Sequence, residues 1–169
     1  GTGLSRLLGK ENGTLSPSAE WCLLPVLIAT AQIQRKWLQR QPGWHEVTPG
    51  VLFGRKVTAK EAASLVREDE LAVLDLTAET NAPTAFREHA HYHNLPLLDL
   101  VPLQPEHIHA ALTIIREQRA VGRRVFMHCQ LGLQRSALIA AHWLVENGEA
   151  ESLEAAKSKI RALEPSVVI

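Results

Sequence analysis

Short, almost unbroken apolar runs alternate in this chain with longer stretches where apolar residues recur every three or four positions. Unbroken or alternating runs mark strands, and the wider spacing marks helices with one buried face. His45-Glu46-Val47 and Val51-Leu52-Phe53 flank Pro49-Gly50, which predicts a hairpin within Glu46 to Arg55. Thr58 followed by Glu61 is a capping box and opens a helix to about Arg67. Leu71 to Leu76 is the kind of strand that is buried on both faces of a parallel sheet. The polar stretch from Thr77 to His93 holds at most a short helix around Thr84 to Glu88, and Leu95 to Leu98 is a second buried strand ending at Asp99. Pro105 suits a first helical turn, Glu106 to Ala120 keeps helical spacing, and Gly122 stops it. Val125 to His128 is the next strand. Arg135 to Glu146 is helical up to Asn147-Gly148, and Ser152 caps a last helix to about Leu163, ahead of Pro165.

Ahead of this alternation, residues 1–18 are rich in Gly, Ser and Pro and read as an irregular arm. Ala19 to Arg40 reads as a helix capped by Ser16 or Ser18 and ending before Pro42-Gly43. Its first reading is a helix packed across the back of the domain. The second is an interfacial helix at a membrane surface, suggested by an apolar first half, Trp21 and Trp37, and the later Arg35, Lys36 and Arg40. The expected organisation is therefore an arm and helix over 1–43, membrane-proximal in the second reading, and a single domain over 44–169. Strands alternating with helices imply an α/β fold: a central, mostly parallel sheet of about five strands flanked by helices. Ligands of such sheets bind beyond the carboxyl ends of the strands, where Asp75, Asp99 and Cys129 all fall.

Composition narrows the partners. Lys plus Arg and Asp plus Glu both total 18, so no global field selects nucleic acid, and none is expected as a partner. The two cysteines, Cys22 and Cys129, are too few for a disulfide framework and fit a reducing compartment, the cytoplasm. The apolar run from Trp21 to Ala31 contains Pro25 and falls short of the ~20 residues of a spanning helix. The chain opens Gly1-Thr2-Gly3 without an initiator Met, which reads as part of a longer protein or as the product of tag cleavage; the first is expected at the inner face of a membrane if the second reading of residues 19–40 holds.

The candidate chemistry lies in His128-Cys129-Gln130-Leu131-Gly132-Leu133-Gln134-Arg135-Ser136. A strand leads in and a helix leads out, so the loop meets a helix N-terminus, whose unpaired N–H groups and dipole favour an anion. That cradle, with Arg135 beside it, favours a reactive thiolate at Cys129. His-Cys-x5-Arg-Ser between strand and helix resembles the signature of the cysteine-dependent phosphatases, the dual-specificity group in particular. Leu74 to Glu79 and the Leu-Pro-Leu-Leu-Asp segment from Leu95 to Asp99 extend the similarity to bacterial members and to the mitochondrial phosphatidylglycerophosphate phosphatase. It runs from about Glu46 to Ile169.

The resemblance implies a protein tyrosine phosphatase-like fold of the dual-specificity type and hydrolysis of phosphomonoesters through a phosphocysteine, with no cofactor and no metal. Phosphoprotein substrates carrying phosphotyrosine or phosphoserine/threonine are the first expectation. A phospholipid monophosphate is the second, and a weakly active phosphate-binding module the third. Cys129 is the implied nucleophile. Gln130, Leu131, Gly132, Leu133, Gln134 and Arg135 form the phosphate bed, with Gly132 free to take φ > 0. Arg135 presents a fork to two phosphoryl oxygens, Ser136 donates to the departing thiolate, and His128 supports the loop. The implied acid is Asp99, thirty positions ahead of Cys129 and next to a loop able to carry it over the pocket; Asp75 has the character of a structural residue. Gln134 departs from the Ser, Gly or Lys common at that position, and Leu131 and Leu133 give the loop an apolar rim without lysine. That rim suits a monophosphate better than a polyphosphoinositide. The run His89, His91, His93 has no carboxylate or Cys at metal-ligand spacing and reads as a solvated or loop-packing cluster.

Overall fold

Strands without a polar face need cover on both sides, and the chain supplies it with helices on either face of one sheet. The computed structural model describes residues 10–22, 24, 25, 28, 43–67 and 70–169. Five strands, β1 (Trp44–Thr48), β2 (Val51–Arg55), β3 (Leu71–Thr77), β4 (Tyr92–Leu97) and β5 (Arg124–Cys129), form a sheet in the order β1-β2-β5-β3-β4. β1 runs antiparallel to β2, and the remaining pairs are parallel. The expected mostly parallel five-stranded sheet is what the chain forms.

From residue 43 onward the described residues form five helices in the predicted order: α1 (Ala59–Leu65), α2 (Thr84–Arg87), α3 (Pro105–Ala120), α4 (Arg135–Glu146) and α5 (Leu153–Leu163). Thr58 and Glu61 complete the capping box of α1, with the Glu61 amide 3.2 Å from Thr58 Oγ1 and the Thr58 amide 2.7 Å from Glu61 Oε2. Ser152 caps α5 by accepting from the Ala155 amide.

Alternate strand residues divide between two cores, as a pleat requires. Phe53, Leu74, Val125 and Met127 pack with Ile115, Ile139, Leu144 and Ile160 on the face covered by α3, α4 and α5. Leu52, Val73 and Phe126 pack with Leu65 and Phe86 on the face covered by α1 and α2. In the parallel register His128 lies between Gly54 on one side and Asp75 on the other. The central strand therefore ends with Cys129 at the middle of the sheet's carboxyl edge.

Two boundaries differ from the sequence reading. β4 spans Tyr92–Leu97 and not residues 95–98: its first half is polar and only half-buried at the sheet edge, so it lacks the apolar run that marks an inner strand. The first helix begins at residue 17, two positions before Ala19, with the Ser16 hydroxyl accepting from the Ala19 amide at 3.3 Å. Residues 29–40 of that predicted helix lie outside the described residues.

The arm preceding this helix docks on the loop after β3. Leu15 is buried, its amide donates to Asn81 Oδ1 at 2.6 Å, and the Ala82 amide donates to the Gly13 carbonyl at 2.8 Å. The same arm sends Lys10 into the protein interior. Among the described residues no helix is long and apolar enough to cross a membrane.

Candidate active site

Cys129 closes β5, residues 130–134 make a tight loop, and α4 starts at Arg135. Gln134 holds the N-cap position without a side-chain hydrogen bond to the helix, so the start of α4 has no side-chain cap. Gly132 takes φ of 77°, and a Cβ there would meet the Arg55 amide nitrogen at 2.7 Å and the Gly54 carbonyl carbon at 2.8 Å. The loop thus lies directly on the backbone of β2, and both the close approach and the left-handed conformation call for glycine.

Cys129 is buried, with Sγ 3.4 Å from Ser136 Oγ, and Ser136 Oγ also lies 3.1 Å from the Gly54 carbonyl, to which it donates. Among the described residues Arg135 is the largest fully buried side chain. Its Nη1 donates to the carbonyls of Leu97 at 2.7 Å and Leu76 at 3.3 Å and to Glu79 Oε2 at 3.0 Å. Its Nη2 reaches Glu79 Oε1 at 2.7 Å and Asp99 Oδ1 at 3.3 Å, while the buried Nε has no hydrogen-bond partner. Burial opposes the charge on this guanidinium, but the Glu79 hydrogen bonds, with the charges of Cys129, Glu79 and Asp99, outweigh it and hold Arg135 protonated above its ordinary range.

Behind Cys129 sits a buried polar cluster. Asp75 accepts from Lys10 Nζ at 2.7 Å and Tyr92 Oη at 2.7 Å through Oδ2, and from the Thr77 amide at 2.9 Å and hydroxyl at 2.7 Å through Oδ1. Burial works against this carboxylate, yet His128, Lys10 and Thr77 pull its pKa down to about 2. His128 lies wholly inside, Nε2 3.9 Å from Asp75 Oδ1, its ring against Phe126 and Phe86 at centroid separations of 5.5 and 5.7 Å. Burial lowers its pKa to about 4, so the imidazole is neutral. Burial likewise lowers Lys56 to about 8, with its Nζ on the Asn81 carbonyl at 2.6 Å.

A cavity of about 200 Å³ opens onto Cys129. Asp99 and Gln134 are its polar walls, and Leu100, Leu131, Leu133 and Val168 make the rest apolar. The C-terminal segment is pinned there by the Val168 amide, 2.8 Å from the Leu133 carbonyl. Leu100, next to Asp99, takes φ of 60° and is 86% exposed. Gln130 turns away from the cavity, its Oε1 accepting from Thr80 Oγ1 at 3.1 Å and its carbonyl from the Lys56 amide at 3.3 Å.

Cys129, Arg135, Ser136 and Asp99 therefore come together at one edge, while Asp75 stands behind the loop, bound to Lys10. The histidine run takes separate positions. His89 Nε2 lies 2.6 Å from the Leu71 carbonyl, His91 packs edge-on against His89, and His93 Nε2 is buried without a partner. Sequence reasoning gave no role to Glu79, Lys10 or Val168. Glu79 stood inside the quoted Leu74 to Glu79 segment, but its partner is 56 residues away and nothing local points to it. Lys10 and Val168 carried no signal, since each works through a contact that only the fold creates.

Residues 52–168 match the family model described as "Dual specificity phosphatase, catalytic domain". The chain is 28% identical over 137 residues to dual specificity protein phosphatase 1-B of Xenopus laevis, covering 76% of this chain and 36% of that one. Mouse dual specificity protein phosphatase 1 is 30% identical over 108 residues, covering 59% and 29%. The chain thus spans about a third of the length of these relatives, at 36% and 29%. Among solved structures, Tk-PTP in the active form superposes with a TM-score of 0.67 at 25% identity, over 75% of this chain and 88% of that one. PTPMT1 in complex with PI(5)P gives a TM-score of 0.65 at 21% identity over 76% and 87%, a likeness of fold.

Proposed function

The chain belongs to the dual specificity phosphatase catalytic-domain family, and from that premise we propose that it hydrolyses phosphomonoesters on proteins through a phosphocysteine intermediate. The observation that carries this reading is the buried Arg135 Nε without a partner, in the residue that follows the loop after Cys129. A phosphoryl group above Cys129 would give Nε the oxygen it lacks, and a bidentate guanidinium suits the spread charge of the transition state.

In the first step Cys129 Sγ attacks phosphorus, the ester P–O bond breaks, and Asp99 gives its proton to the leaving oxygen. In the second step Asp99 as carboxylate takes a proton from water, the water oxygen attacks phosphorus, and the S–P bond breaks. Ser136 turns its hydroxyl proton from the Gly54 carbonyl to the leaving thiolate, and inorganic phosphate departs. Gly132 and the loop amides hold the equatorial oxygens, as metal ions and lysines do in other phosphoryl-transfer sites.

The test is mass spectrometry of a rapidly quenched reaction between Asp99→Ala and a small aryl phosphate. A phosphoryl adduct on Cys129 is expected, and Cys129→Ser should bind vanadate without turnover. A reaction that proceeds with no adduct at any quench time refutes the intermediate. Binding with neither adduct nor turnover would leave only the phosphate-binding module.

A phospholipid monophosphate is the second reading, favoured by the apolar walls from Leu100, Leu131, Leu133 and Val168. A structurally similar chain, PTPMT1, is described in complex with PI(5)P. Trp21, Leu24 and Ile28, 79%, 44% and 53% exposed, are spaced to share one helix face and support membrane contact through residues 19–40 as part of this reading. Competition between phosphopeptides and vesicle-borne phosphatidylglycerophosphate separates the two substrates. Protein phosphate should win under the first reading and lipid phosphate under the second.

A further inference from the structure

Lys10 lies outside the residues matched to the family, 52–168, yet it reaches the interior of the domain. Its Nζ makes three hydrogen bonds, to Asp75 Oδ2 at 2.7 Å, to the Thr77 carbonyl at 2.7 Å and to Thr77 Oγ1 at 2.8 Å. Neither the Lys10 nor the Asp75 side chain has any exposed surface. A buried lysine is costly unless its charge is met, and here Asp75 meets it in full.

We propose that Lys10 is a positioning residue for the nucleophile: by engaging Asp75 it keeps that carboxylate from drawing a proton onto His128, the residue immediately before Cys129. The claim rests on Cys129 being the nucleophile, the reading given above.

The geometry makes the competition explicit. Among the described residues Asp75 is the carboxylate paired with His128, at 3.9 Å, and with Lys10 absent the imidazole stands ready to neutralise it. The remaining charged and titratable neighbours do not replace Lys10. Lys56 follows β2, donates to the Asn81 carbonyl at 2.6 Å and feels the charge of Asp75 ahead of that of Glu79, whereas Lys10 is hydrogen-bonded to Asp75 directly. Tyr92 from β4 brings a neutral hydroxyl to Asp75, and Arg87 from α2 acts on Tyr92. Phe86 and Phe126 close the other sides of the ring. An imidazolium here would place a new buried charge one residue from the attacking sulfur, lowering the nucleophilicity of the thiolate along with its pKa. The electrostatics agree, since the Lys10 and Lys56 charges both act to keep His128 neutral.

The arm that carries Lys10 is itself fastened near the loop. Leu15 holds Asn81 through its amide, and the neighbouring Thr80 hydroxyl donates to Gln130 of the phosphate bed. A segment ahead of the family domain thus contributes to the back wall of its active site.

The experiment compares Lys10→Met, Lys10→Gln and Lys10→Arg with the wild type in the full chain. It reads the His128 ring by NMR titration and kcat/KM for a small aryl phosphate against pH. The wild-type ring should stay neutral down to about pH 4. In Lys10→Met its midpoint should rise by about one pH unit or more. Its kcat/KM at pH 5, taken relative to that at pH 8, should fall about twofold below the wild type's ratio. Lys10→Arg, which keeps the charge, should follow the wild type in both. Unchanged His128 midpoints and pH profiles in a folded Lys10→Met overturn the proposal, and so does a Lys10→Arg that departs as far as Lys10→Met. A Lys10 that is only a structural staple would lower stability without moving the His128 titration. If Lys10→Met does not fold, the titration in Lys10→Gln decides; the double variant Lys10→Met with Asp75→Asn should hold a neutral His128, and a ring titrating near its ordinary value there also overturns the claim. An NMR shift as expected in a chain whose wild type is inactive sinks the reading of Cys129 and leaves the Lys10 pairing standing.

Discussion

Glu79 grips Arg135 with two parallel hydrogen bonds, Oε1 to Nη2 at 2.7 Å and Oε2 to Nη1 at 3.0 Å. The pair fixes the guanidinium plane, so that in the proposed reaction phosphate meets an arginine already oriented, with Nε unpartnered. Glu79→Ala should lower kcat/KM for an aryl phosphate by roughly ten- to a hundredfold, because an unheld Arg135 must be ordered during the reaction. Glu79→Gln, which keeps one acceptor, should lose less. Steady-state kinetics of both variants check this, and an Ala variant with wild-type kcat/KM would show that the grip is dispensable.

Asp99 stands 3.3 Å from Arg135 Nη2 at the mouth of the cavity, half-exposed. If it protonates the leaving oxygen, its loss matters most where that oxygen is most basic. Asp99→Asn should cost about 10²- to 10⁴-fold with an alkyl phosphate and markedly less with a nitrophenyl phosphate. A uniform loss across leaving groups would assign the acid to another group.

Gly132 is the point where the loop touches β2. Gly132→Ala meets both the left-handed φ of 77° and the 2.7 Å approach to the Arg55 amide. The substitution should destabilise the chain by about 1–3 kcal/mol and lower kcat by roughly a hundredfold through displaced amides. Urea unfolding and turnover measured together test it, and retention of both would mean that the loop has room to move.

Acid should unfold the chain in two stages. His128 has its pKa lowered from 6.5 to about 4 by burial, so the unfolded chain binds its proton first. Its contribution is complete above pH 6.5 and fades as pH falls toward 4, a loss on the order of 3 kcal/mol. Asp75, opposed by burial but lowered from 3.8 to about 2 by His128 and Lys10, contributes in full above pH 3.8 and loses that as pH falls toward 2, about 2 kcal/mol more. Unfolding free energies at pH 7, 5 and 4 should decline, and His128→Asn should flatten the first stage. A wild-type stability that is level from pH 7 to 4.5 contradicts the account.

The sheet and its helices were legible because their signals are local. The Thr58 to Glu61 box, the Leu71 to Leu76 run and the Asn147-Gly148 stop each announce an element within a few residues. The cluster of Cys129, Arg135 and Ser136 was legible for the same reason, since one loop carries all three. β4 was placed late because Tyr92, His93 and Asn94 serve an edge and carry no apolar run. Glu79, Lys10 and Val168 stayed silent because each meets its partner across 35 to 65 residues, as in the pairs Lys10 with Asp75 and Val168 with Leu133. Chemistry that is assembled by tertiary contact leaves no pattern in the chain.

Leu100 adopts a left-handed φ of 60°, with its side chain almost wholly in solvent, one peptide bond beyond Asp99. A leucine in that conformation sits roughly 1–2 kcal/mol above its relaxed backbone state. Asp99 therefore sits one residue from a strained torsion, and that strain is worth about tenfold in population wherever the surrounding contacts let φ relax. If Asp99 is the acid, its resting place between turnovers depends on that torsion together with its contact to Arg135.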